Sequence, residues 1–124
     1  MITKIGELML YVNDLDQSAT FWTEKIGFTQ LAEHNEGGMR WINIAPTSTT
    51  ETQFVLHDKK QIAAMHPEVP LATPALLFYT KDIQKLHEAL FNKGIPVGDI
   101  VEMGGSLTFN FPDPDGNYFA VKNS

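Results

Sequence analysis

Glu7-Leu-Met-Leu-Tyr-Val12 and Ala75-Leu-Leu-Phe-Tyr79 are short, mostly apolar runs rich in aromatic and branched residues. Each segment therefore predicts a β-strand with two distinct faces. An aspartate follows each one, Asp14 and Asp82, placed to cap a helix, and Gln17 completes a capping box with the first. Leu15, Ala19, Trp22 and Ile26 then recur at helical spacing and predict one buried stripe; Ile83, Leu86 and Leu90 do the same in the second half. Gly27 and Gly94 fall where each stripe ends. Laying Glu7–Asp14 over Ala75–Asp82, an offset of 68 residues, aligns Leu8 with Leu76, Tyr11 with Tyr79 and Asp14 with Asp82. The chain is thus an internal repeat.

Three short strands follow each helix. The first half predicts Phe28–Ala32, Met39–Ala45 and Thr52–His57, with Asn35-Glu-Gly-Gly38 as a turn. The second predicts Val97–Met103, Ser106–Phe111 and Asn117–Lys122, with turns at Gly104-Gly105 and Pro112-Asp-Pro-Asp-Gly116. The order strand, helix, three strands, twice over, defines an α+β fold. One βαβββ module spans about residues 1–58, a connector with Pro67 and Pro70 spans 59–73, and a second module spans about 74–124.

Composition narrows the function. The 124 residues contain no cysteine, which removes disulfides, thiol nucleophiles and thiolate metal sites. Nine basic against 15 acidic residues leave a net charge of −6, which argues against nucleic acid and anionic membrane as partners and favours a neutral or cationic small molecule. No apolar run approaches the roughly 20 residues of a membrane span, and Met1-Ile2-Thr3-Lys4 leads straight into a strand-like run, so the expected location is the cytoplasm. Neither a phosphate-binding Gly-x-x-x-x-Gly-Lys nor a Gly-x-Ser-x-Gly elbow is present, and Asp113-Pro-Asp-Gly116 lacks the spacing of a calcium loop.

Four segments carry a family resemblance: Leu10-Tyr-Val-Asn-Asp-Leu15, Phe21-Trp-Thr-Glu-Lys-Ile-Gly-Phe28, Arg40-Trp41 ahead of Ala45-Pro46, and Phe111-Pro-Asp-Pro-Asp-Gly-Asn-Tyr118. Together they resemble the vicinal oxygen chelate superfamily of glyoxalase I, bleomycin-resistance proteins, fosfomycin-resistance enzymes and extradiol dioxygenases. The resemblance implies paired βαβββ modules whose curved mixed sheets enclose a cleft, in a homodimer. It carries fold more firmly than function, since one fold hosts many chemistries.

Within such a cleft, alternation assigns the inward faces. Leu8, Leu10 and Val12 should pack on helices, leaving Glu7, Met9 and Tyr11 for the cleft, together with Trp41, Asn43, Gln53, Val55, His57, Ala75, Leu77, Tyr79, Tyr118 and Ala120. Met9 and Met103 are either plain filling or adaptable lining. The resemblance places the metal ligands of the metal-dependent relatives at Glu7, Val55, Ala75 and Ala120, with Gln53 or His57 replacing Val55 if that strand slips by two residues. Since a divalent site needs about three protein ligands, the expectation is no metal and no cofactor.

Glu7 is then either a hydrated strand-end carboxylate or a pocket base and anchor for a cation. His57 is either a strand-end histidine or an acid–base group at the cleft mouth. His34, His66 and His87 receive no role. The expected function is metal-independent binding of a small molecule in an apolar, aromatic cleft. The alternative is a glyoxalase-like lyase or isomerase acting on a small carbonyl compound, with Glu7 or His57 as base and Arg40 and Lys122 as the nearby cations.

Overall fold

The computed structural model describes the backbone of residues 1–124 and every side chain except that of Met103, which therefore lies outside the described residues. The chain divides into two compact units, Met1–Thr73 and Pro74–Ser124. Each carries a four-stranded mixed sheet of the same topology.

In the first unit the order is β1 (Glu7–Val12), α1 (Leu15–Thr20), β2 (Thr29–Glu36), β3 (Met39–Ala45), β4 (Gln53–Asp58) and α2 (Lys59–Met65). The strands lie in the order β1-β4-β3-β2, with β1 parallel to β4 and the other pairs antiparallel. Asp14 caps α1 as expected, its carboxylate accepting from Gln17 N at 3.0 Å. The helix does not run on as α. Residues Phe21–Lys25 form a π turn, in which Ile26 N donates to Phe21 O at 3.1 Å. One extra residue per turn rotates the buried stripe. Phe21 and Trp22 therefore both point into the core, and Ile26, expected on the stripe, is left half-buried.

Leu10, Ile42 and Leu56 form one row of the helix-side face, and Phe54 and Ile44 the next, all buried. Trp22 packs on Phe28 and Phe54 with ring centroids 5.1 and 5.8 Å away. This is the usual way in which aromatic side chains supply most of a small core.

Two elements differ from the pattern expected of the first half. The connector begins with α2, nucleated by Asp58, whose carboxylate accepts from Lys60 N and Gln61 N. Strand β2 continues four residues past Ala32, because Gly37 and Gly38, with φ of 59° and 77°, make a two-residue turn. Positive φ at both central positions gives the turn whose twist matches paired strands. The hairpin therefore zips up to Glu36 opposite Met39.

The second unit repeats the plan with β5 (Leu77–Thr80), α3 (Ile83–Asn92), β6 (Val101–Met103), β7 (Ser106–Pro112) and β8 (Tyr118–Asn123), in the order β5-β8-β7-β6. Asp82 accepts from Lys85 N, and Asn123 Oδ1 accepts from Ile83 N, so the start of α3 is tied to the end of β8. Phe109, Phe111, Phe119 and Val121 form the buried face with Ile83 and Leu90. Strand β6 is shorter than expected and starts at Val101. The turn after β7 is held by Asp113, which is buried and accepts from Asp115 N, Asn117 N and Asn117 Nδ2. Burial raises its pKa above the ordinary carboxylate value, and these donors oppose the rise.

Candidate functional site

The face of the first sheet turned away from α1 gathers the first-half site residues. Strand register sets them in rows. Tyr11 lies beside His57, and His57 beside Trp41. Met9, Val55 and Asn43 form the next row, and Glu7 and Gln53 the last. His34, given no role by sequence, completes the first row opposite Trp41, because β2 extends beyond its expected end. The signal was present in Gly37-Gly38: a two-residue turn obliges its strands to pair from Glu36 and Met39 onward, and that places His34 across from Trp41.

The first row is a ladder of rings. Centroids of Tyr11 and His57 lie 6.1 Å apart, those of His57 and Trp41 6.2 Å, and those of Trp41 and His34 5.1 Å. Their planes are inclined by 26°, 29° and 22°. All four are half-buried. Such cross-strand aromatic pairs stabilise the sheet and form one continuous half-buried aromatic row.

Polar groups converge two rows away. Asn43 Nδ2 donates to Glu7 Oε2 at 3.2 Å and to Gln53 Oε1 at 3.0 Å. Asn43 Oδ1 and His57 Nδ1 are buried with no hydrogen-bond partner among the described residues. Burial lowers the pKa of His57 below the ordinary imidazole value, and the charge of Glu7 opposes this only in part.

Arg40 does not join this face. It alternates with Trp41 and Asn43, so it lies on the helix side, where Nη2 meets Asp16 Oδ1 at 2.6 Å and Nε meets Glu33 Oε2 at 2.9 Å. These carboxylates hold its pKa above the usual guanidinium value, and Arg40 in turn lowers that of Asp16. A cavity of about 460 Å³ adjoins this pair, lined by Asp14, Asp58 and Lys60 among others.

In the second unit Leu77, Tyr79, Tyr118 and Ala120 share the face of the sheet opposite the buried phenylalanines, with Leu77 in register with Ala120. Leu77, Tyr79 and Tyr118 are 48%, 69% and 67% exposed. Ala75 lies ahead of β5 and is exposed.

The family's metal positions can be tested on this geometry. Val55, Ala75 and Ala120 carry no donor atom. Register seats Gln53, not Val55, beside Glu7, and Asn43 Nδ2 donates to one oxygen of each. Among the described residues no group of three or more His, Cys, Asp or Glu stands close enough to hold a metal ion. The residues do not fit the metal of the metal-dependent relatives.

Fold, repeat and site define a small α+β protein of paired βαβββ units with an aromatic face. The chain matches the Glyoxalase/Bleomycin resistance protein/Dioxygenase superfamily over residues 4–121 and belongs to it. It is similar to the uncharacterized protein YetH of Bacillus subtilis (strain 168), 32% identical over 124 residues that cover 98% of this chain and 99% of that one. Among solved structures it resembles TnmS3, an antibiotic binding protein from Streptomyces sp. CB03234, with a TM-score of 0.82 and 25% identity over 98% of this chain and 96% of that one. Lactoylglutathione lyase from Agrobacterium tumefaciens shares the fold, with a TM-score of 0.75 and 20% identity over 100% of this chain and 96% of that one.

Proposed function

We propose that this protein binds a small planar molecule, neutral or cationic, without a metal, on the aromatic face of its first sheet. The observation that carries this is the ring ladder Tyr11–His57–Trp41–His34, half-buried and beside the polar trio Glu7, Asn43 and Gln53. Stacked rings give a planar guest dispersion and, for a cation, attraction to the ring quadrupoles. The carboxylate of Glu7 and the net charge of −6 disfavour an anion. The likeness to an antibiotic binding protein supports sequestration of a small molecule as the role.

The proposal extends to a homodimer in the cytoplasm. Exposed Leu77, Tyr79 and Tyr118 offer one face that a second copy would cover. No helix of the structure is long and apolar enough to cross a membrane.

Sedimentation of the protein with proflavine, a planar cation, reads binding and mass together. The dye is expected to travel with a species of twice 13.9 kDa, and Trp41→Ala is expected to weaken its binding about tenfold or more, the scale of one lost stacking partner with its buried area. Undiminished binding in Trp41→Ala removes the ladder from the site, and a species of one chain's mass removes the dimer.

A second reading, a lyase or isomerase on a small carbonyl compound, is favoured by one observation: the half-buried imidazole of His57 shares one face with the carboxylate of Glu7, two groups of the acid–base type. Among the described residues this face of the first sheet carries no lysine or arginine to hold an enolate: Arg40 is paired with carboxylates on the other side, and Lys122 belongs to β8 of the second unit. Turnover of a hemithioacetal, lost in His57→Gln, would establish it over simple binding.

A further inference from the structure

We propose that the guest of the first sheet is two-ended: a planar ring on the Tyr11–His57–Trp41 row and a primary carboxamide held by Glu7 and Gln53. This rests on the aromatic face being the binding face, and adds what the other end of the guest must be.

The directions of three side chains fix one another. An ionised carboxylate only accepts, so the group that Asn43 turns to Glu7 Oε2 must be its Nδ2. The same nitrogen meets Gln53 at 3.0 Å, which obliges Gln53 to present its oxygen there and to turn Nε2 away. Asn43 is 9% exposed, and its own Oδ1 is buried without a donor among the described residues. It spends both N–H groups on its neighbours and leaves its carbonyl unpaired, which costs the fold stability. That is the behaviour of a positioning residue.

The consequence is a matched pair. Glu7 and Gln53 are register partners, so their side chains rise from neighbouring strands on one face, and each keeps a group that Asn43 does not take: an acceptor in the second carboxylate oxygen of Glu7 and a donor in Nε2 of Gln53. A primary carboxamide answers both, giving N–H to Glu7 and receiving N–H from Gln53. An ammonium group satisfies Glu7 alone, and a carboxylate meets the charge of Glu7 directly. The rows set the length of the guest. Tyr11 lies four positions beyond Glu7, about 13 Å along a strand. Between them lies the row of Met9 and Val55, which suits an apolar link.

Calorimetric titration with 2-naphthylalkanamides of four to eight chain carbons, the matching acids and amines, and 2-methylnaphthalene tests this. The carboxamide of best-fitting length is expected to bind about tenfold tighter than its acid or amine. Gln53→Glu is expected to turn the preference to the amine, and Glu7→Gln to remove the discrimination against the acid. Identical dissociation constants across the series, no tighter than 2-methylnaphthalene, overturn the carboxamide end and leave the ring seat standing. Failure of every compound to bind, 2-methylnaphthalene included, overturns the ring seat as well.

Discussion

His57 stands between the rings of Tyr11 and Trp41 with Nδ1 buried and unpartnered. Its pKa is held below the ordinary value of about 6.5 by loss of water, so the unfolded chain binds a proton more readily than the folded one. The stability due to the neutral imidazole is complete above about pH 6.5 and is lost as the pH falls toward the folded value. The melting temperature is therefore expected to drop between pH 7.5 and 5.5 more steeply in the native protein than in His57→Gln; equal slopes would show that His57 gains no protection in the fold. At this scale the sequence was informative about direction. Alternation sent Glu7, Asn43, Gln53 and His57 to one face, and in the sheet the four stand on one face. It was silent about partners. Nothing in the spacing of Asn43 from Glu7 reveals that one amide bridges two strands, because that contact depends on which strands are neighbours.

Turns and caps decide how the elements sit. The loop 112–117 closes the β7–β8 hairpin around one buried carboxylate that accepts three N–H groups. Asp113→Ala strands those donors and is expected to cost about 1–3 kcal/mol in urea unfolding. Asp113→Asn keeps an acceptor oxygen and relieves the cost of burying charge, so it is expected to cost less than the alanine. An equal loss in the two would mean that the loop is held by something other than these bonds. The same logic explains which elements were legible. Strand β3 reads correctly from Met39 to Ala45 because it alternates and ends in clear turn residues. The α2 helix was hidden because Lys59-Lys60-Gln61 carries no apolar stripe, and its start depends on the cap supplied by Asp58. The π turn was hidden because Leu15, Ala19, Trp22 and Ile26 fit the ordinary helical period, and a single inserted residue leaves no mark in composition.

At the scale of the molecule, the repeat was the strongest signal in the chain, and the two units do share one topology, first strand parallel to last in each sheet. What the repeat does not duplicate is chemistry. The first unit carries the ring ladder and the polar trio, whereas the matching face of the second carries Leu77, Tyr79, Tyr118 and Ala120 with Thr108, Asn110 and Lys122, and no such ladder. The positions at which the resemblance places the family's chelating groups fall on side chains without donor atoms in three of four cases, and the proposal that follows is a guest held by stacking and hydrogen bonds on the family scaffold. The measurement closest to that claim is a proflavine titration of protein stripped with EDTA, repeated after addition of zinc, nickel or ferrous iron. Equal affinity in every case is the expected result. Binding that appears only when a metal is restored would contradict the account.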